Sequence, residues 1–171
     1  LAAHVSWRAM VNDVLTRIEK RLHSVMDPEL PFLTVMELGM IRGIVMESDT
    51  VIIELTPTYT GCPATDAIKE DLQEAAEEIY TNVSVRLVMS PAWTTDWISA
   101  STRKKMAQHG VAPPEGQSAD KAFLLGDERI VPCPRCKTTN TKLVSPFGST
   151  ACKAHFSCLD CLEPFDHFKC I

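Results

Sequence analysis

The sequence predicts an α+β protein: a small two-layer α-β-β-α-β-α domain followed by a short cysteine-rich appendage. Three observations carry that reading. Apolar residues recur at helical spacing between residues 5 and 26, two β-like runs flank a polar turn, and six of the seven cysteines fall in the last 39 residues. With 171 residues, 45% hydrophobic and 23% charged, the chain is long enough for one ordinary domain and a small second unit.

Trp7, Met10, Val14, Ile18, Leu22 and Val25 stand three or four apart and mark one face of a first helix. It should stop at Asp27-Pro28, because the residue before a proline is pushed out of the helical region. IRGIVM (41–46) and VIIELT (51–56) read as strands, joined by a hairpin turn at Glu47-Ser48-Asp49-Thr50. A second helix carries Ala64, Ile68, Leu72, Ala75 and Ile79 inward, while Glu70, Asp71, Glu74, Glu77 and Glu78 form a solvated outer face. VSVRLVM (83–89) is a third strand, and after Ser90-Pro91 a last helix runs from about Thr95 to His109, stopped by Gly110.

The third strand follows a helical crossover and should lie parallel to the second, with the first antiparallel to it. Both later strands then end on one side of the sheet. That gathers Asp27-Pro28-Glu29, Glu37-Leu38-Gly39, Thr58 to Pro63 and Pro91 to Trp93 along one rim, where open α/β sheets keep their ligands. The first domain is placed at 1–110. Residues 111–130, with Pro113-Pro114 and Gly116, form a linker that Phe123, Leu124 and Leu125 can dock, and 131–171 are the second unit.

The formal charge of -5 and pI near 5.5 give no electrostatic reason to expect nucleic acid or an anionic membrane as partner. No run of 18 apolar residues and no secretion signal is found, so a cytoplasmic location is expected.

Cys62 stands alone between Gly61 and Pro63. Pro63 suits a first helical position, which would make Cys62 the N-cap, where free N–H groups and the helix dipole favour a thiolate. The position fits a nucleophile or soft-metal ligand; the alternative is an inert buried thiol. No histidine lies between His23 and His109 to serve as its base. Asp27, Glu29 and Glu37 suit a metal or acid-base role, against the plainer reading of a turn aspartate and surface acids. Trp93 and Trp97 read as core before ligand platform.

CPRC (133–136) and CLDC (158–161) give C-x2-C-x21-C-x2-C. Two such knuckles bring Cys133, Cys136, Cys158 and Cys161 tetrahedrally around one zinc ion, iron being the alternative occupant. Metal binding then supplies folding energy that so short a tail lacks. The tail's net +2 is offset by the charge of about -2 on a zinc tetrathiolate, whereas a nucleic-acid ribbon would be more basic. Cys152 lies about 20 Å from Cys158 along a strand, too far to share its metal. A returning strand over 163–170 should make Cys152 and Cys170 neighbours, either a redox or metal pair or two buried small side chains.

DPELPFLTVMELGMIRGI, LTPTYTGCPAT and SPAWTTDW resemble the iron-sulfur cluster assembly domain family typified by SufT-like proteins. The tail segments CPRC, FGSTACKA, CLDC and EPFDHFKC look like those of its PaaD-like branch, which adds a zinc ribbon. The resemblance implies a role in phenylacetate catabolism, beside the multicomponent oxygenase that epoxidises phenylacetyl-CoA. It implies an accessory factor maturing iron-sulfur or iron centres of the reductase or oxygenase component, with Cys62, Asp27, Glu29 and Glu37 handling a transient cluster or iron. Partners would be those components, with a homodimer as a further association. No turnover is expected from the isolated protein. A structural or regulatory subunit of the oxygenase is the competing reading, and a thiol enzyme acting on an acyl-CoA is disfavoured for want of a phosphate loop and a nearby histidine.

Overall fold

The computed structural model describes residues 7–114 and 130–169, which fall into two compact units. The first comprises residues up to 57 together with 63–91, and the second residues 58–62 together with 92 onward.

In the first unit the order is α1 (Trp7–Leu22), β1 (Ile41–Glu47), β2 (Thr50–Leu55), α2 (Thr65–Glu77) and β3 (Val83–Leu87). The sheet order is β1-β2-β3, antiparallel for the first pair and parallel for the second, as the crossover rule requires. Alternation along β2 buries Val51, Ile53 and Leu55 on one face, which α1 and α2 cover with Ile18, Leu22, Ile68, Leu72, Ala75 and Ala76. Full burial of one such side chain is worth about 2 kcal/mol, so this layer is what holds the helices to the sheet. The predicted face of α1 is buried only towards its C-terminal end. Trp7 is 58% and Met10 48% exposed.

Because Leu55 pairs with Leu87, and Ile41 with Leu55, β2 and β3 end where β1 begins. Thr56 fastens that edge: its N–H donates to the Met40 carbonyl at 2.8 Å, and its Oγ1 donates to the Val88 carbonyl at 2.7 Å. The strand ends lie as their directions require, while residues 58–62 and 92–93, assigned to the same rim from the sequence, fall in the second unit.

The second unit contains a 3-10 turn (Thr95–Trp97), α3 (Ala100–Gln108), β4 (Val111–Ala112), β5 (Thr141–Ser145), β6 (Lys153–Cys158) and β7 (Pro164–Phe168). Its sheet order is β4-β7-β6-β5, antiparallel apart from the parallel β4–β7 pair. The single helix expected from about Thr95 to His109 is thus two pieces. Ile98 is extended, and Ser99 caps α3 by accepting the Thr102 N–H at 3.1 Å. Gly110, at φ +80°, ends it as expected.

The contacts also place α3 in the second unit, and Val111–Ala112, at the start of the expected linker, form a buried strand of its sheet. Two apolar residues directly after a helix-stopping glycine have no length in which to show period-two alternation. Phe123, Leu124 and Leu125, and the docking assigned to them, lie outside the described residues. Ala112, Val131, Ala154, Phe156 and Phe165 form the core around Cys133 and Cys158. Trp93 is buried edge-on against Phe168, ring centroids 5.9 Å apart.

Candidate functional site

The three carboxylates sit on one loop of the first unit, between α1 and β1, and the backbone explains why. Residues 25–27 run against 33–35, with Val35 N–H on the Val25 carbonyl at 3.0 Å and Asp27 N–H on the Leu33 carbonyl at 2.8 Å. Asp27 is buried, and its Oδ1 accepts the N–H groups of Glu29 and Leu30, each at 2.8 Å. This is the aspartate turn that a residue before proline favours. Glu37 Oε2 accepts the Thr34 N–H at 2.9 Å while Thr34 Oγ1 accepts the Glu37 N–H at 3.1 Å, a reciprocal capping box. Sequence reasoning passed over that box, although its signal, threonine followed three residues later by glutamate, was present. Glu29 is half-buried beside Asp27.

Cys62 follows the exposed Gly61, which turns the chain at φ +85°, and its own N–H donates to the Tyr59 carbonyl at 3.3 Å. Its side chain is 9% exposed. The expected N-cap role does not hold. The helical hydrogen bonding opens at Ala64, whose carbonyl accepts the Ile68 N–H at 2.9 Å and which no side chain caps. Pro63 and Ala64 form a turn first, and α2 starts at Thr65. Two residues ahead of the cap, Cys62 receives less of a dipole effect that is confined to the first turn. Cys62 belongs to the second unit and the carboxylates to the first.

The ribbon cysteines are brought together. The Sγ atoms of Cys133, Cys136, Cys158 and Cys161 all lie within 4.8 Å of one another, with Cys133–Cys161 at 3.8 Å and Cys136–Cys158 at 3.5 Å. A zinc tetrathiolate with bonds of about 2.3 Å has sulfur–sulfur edges of about 3.8 Å, so the donor set fits this ion. Each knuckle is closed by a left-handed residue directly after its second cysteine, Lys137 at φ 66° and Leu162 at φ 62°.

Bonds from the first knuckle's side also hold the second. Asp160 accepts Thr138 Oγ1 at 2.5 Å and Asn140 Nδ2 at 2.6 Å, which lowers its pKa, and Arg135 pairs with Glu163. The crowded thiols titrate as a set. Burial raises Cys158, but N–H groups of Cys161 and Asp160 and the neighbouring thiols outweigh it and bring the group to about 7. Cys161, lowered by the Glu163 N–H, is pushed up to about 12 by burial and the other thiols. Four thiolates this close would need a cation among them, which a divalent metal would supply.

Cys152 is buried just ahead of β6, with Thr150 Oγ1 at 3.1 Å from its sulfur and its carbonyl accepting the Lys169 N–H at 2.9 Å. Cys170 lies outside the described residues, and so does the predicted pairing of the two. Trp93 is core, as read from sequence; Trp97 belongs to the 3-10 turn.

Both units have relatives among known proteins. A family model described as "Iron-sulfur cluster assembly protein" matches residues 15–87, a range that contains Asp27, Glu29, Glu37 and Cys62, and one described as "PaaD zinc beta ribbon domain" matches 117–169. A relative from Escherichia coli K12, named as a subunit of a "Putative 1,2-phenylacetyl-CoA epoxidase", is 45% identical over 151 residues, covering 88% of this chain and 89% of its own. A relative from Porphyromonas gingivalis named "Fe-S protein maturation auxiliary factor" is 34% identical over 85 residues, 48% of this chain and 80% of that protein. Among solved structures, a domain of unknown function from Bacillus anthracis aligns at a TM-score of 0.52 and 21% identity, covering 56% of this chain and 93% of that one. That likeness concerns the fold alone. Among the described residues no helix is long and apolar enough to cross a membrane.

Proposed function

We propose that this chain, which belongs to the PaaD family of an iron-sulfur cluster assembly domain followed by a zinc ribbon, is an accessory maturation factor for a phenylacetyl-CoA epoxidase. It would assist assembly of iron-sulfur or iron centres in the reductase or oxygenase component, its partners in a cytoplasmic setting. The observation that carries this reading is the content of the stretch matched by the assembly-protein model: one cysteine, Cys62, on the loop after β2, and three carboxylates on the loop entering β1. In this reading Cys62 is the ligand for iron or a cluster in transit. Asp27 and Glu37 fix their loop through the backbone bonds described above, and with Glu29 they supply oxygen donors for iron on the loop entering β1. Cys133, Cys136, Cys158 and Cys161 hold a zinc ion whose contribution is folding energy, so the isolated protein should show no turnover, whether it is a monomer or a homodimer.

The experiment replaces Cys62 by serine and measures cluster content and activity of the reductase and oxygenase components made alongside it. Lowered iron and sulfide in a client is expected, and values equal to wild type would sink the reading. A second reading, a non-catalytic structural or regulatory subunit, is favoured by the word subunit in the name of the Escherichia coli relative. It predicts co-purification with the oxygenase at fixed stoichiometry and indifference to the Cys62 substitution.

A further inference from the structure

The second unit carries a groove that the zinc site does not use. It has a volume of about 510 Å³ and runs between the C-terminal end of α3 and the first knuckle. Its apolar lining includes Pro134, Pro164 and Phe165, and its cations are Lys104, Arg135 and Lys137. Arg135 is matched by Glu163, another lining residue. Lys137 spends one N–H on the Pro134 carbonyl at 2.5 Å, a neutral acceptor, and exposed Lys104 has no ion-pair partner among the described residues. Among the described residues, neither ammonium group on this groove is paired with a carboxylate.

Beside it, the second knuckle shows a backbone outlier. Leu162, directly before the lining residues Glu163 and Pro164, is left-handed at φ 62° and 77% exposed, and Leu159 is 51% exposed. A leucine there is unfavourable twice, in its backbone and in its unburied side chain; glycine would satisfy the knuckle and avoid both. Strain of this kind persists where the side chain has a use.

We propose that this groove, with Leu162 at its margin, docks an extended segment of a client protein in which acidic residues alternate with aliphatic or aromatic ones. Carboxylates would meet Lys104 and Lys137, and apolar side chains would cover Phe165, the prolines and Leu162. The choice of an acidic occupant rests on charge complementarity, which selects partners and speeds encounter. The inference deepens the maturation reading by giving the ribbon a recognition role, and it rests on that reading only for the partner's identity.

The test uses the zinc-loaded full chain and a synthetic peptide alternating glutamates with leucines and a phenylalanine, read by fluorescence anisotropy. The same peptide with lysines for glutamates is the control. The glutamate peptide should bind, weaken as salt rises, and lose about tenfold in affinity with Lys104→Glu. Leu162→Gly should lose a similar factor while its melting temperature holds or rises, because glycine relieves the left-handed backbone. Equal binding by Leu162→Gly, equal binding of the lysine peptide, or no binding at all would each overturn the proposal. No iron and no client enter this measurement, so its failure leaves the role of Cys62 standing. A Cys62→Ser protein that binds the peptide normally but fails to mature its client separates the two from the other side.

Discussion

The two cysteine regions place the same side chain in opposite circumstances. In the ribbon, four sulfurs converge within 4.8 Å, two knuckles turn on left-handed residues, and bonds to Asp160 and between Arg135 and Glu163 hold the arrangement. In the loop after β2 a single thiol, 9% exposed, sits ahead of a helix it does not cap. The first region is organised around a metal that stays. The second offers one donor, which suits cargo that must leave, since a complete protein ligand set would retain it. On the proposed reading, the number of neighbouring thiols separates a structural cysteine from one that carries cargo.

The largest effect should come from breaking the first region. Structural zinc contributes about 10–16 kcal/mol in small metal-dependent domains, more than the core around Cys133 and Cys158 can replace. Cys158→Ser, or a strong chelator, should unfold the ribbon, read as loss of zinc and a red shift of Trp93 emission as its packing on Phe168 is lost. Acidification should release the metal too, because its ligands must be deprotonated.

Next in size is Asp27→Ala, which leaves the Glu29 and Leu30 N–H groups without their acceptor. The expected cost is about 2 kcal/mol in denaturant unfolding. Asp27→Asn keeps a side-chain acceptor and should recover much of that loss. If its client maturation nonetheless stays low, Asp27 handles iron as well as shaping the loop.

Thr34→Ala should cost about 1 kcal/mol by opening one half of the capping box. The smallest effect is electrostatic. Glu78 receives bonds from Arg21 at 2.8 and 2.6 Å, chiefly the hydrogen bonding of that guanidinium, which lower its pKa from the usual 4.5. Its folded pKa is depressed, so the contribution is present above the unfolded value and lost as pH falls through the folded one. Glu78→Gln should flatten the acid side of the stability profile slightly, measured by urea unfolding at a series of pH values.

Much of this architecture was legible because it is written in periods and spacings. Helical spacing over α1 and α2, the two β-like runs around a polar turn, and the crossover before β3 gave the first unit its order and strand directions. C-x2-C-x21-C-x2-C named the four thiolates because a tetrahedral ion needs that pairing whatever surrounds it. The features missed were short or ambiguous. Ser99 offered a helix cap within a run read as one helix, β4 is two residues long, and Thr34-x-x-Glu37 lay in a stretch without periodicity. Pro63 can open a helix or a turn, and here the turn prevails, so Cys62 lost its predicted cap. Nor could spacing reveal that Asp27 and Glu37 spend carboxylate oxygens on backbone N–H groups, which depends on how residues 25–27 meet 33–35.

The central claim is that Cys62 carries cargo while the ribbon cysteines carry structure. The most direct measurement compares wild type with Cys62→Ser, purified anaerobically after exposure to ferrous iron and sulfide, by metal analysis and visible absorption. The account predicts a full zinc complement in both, with iron and thiolate-to-iron charge-transfer absorption in wild type alone. Equal iron and an unchanged spectrum in the variant would contradict it.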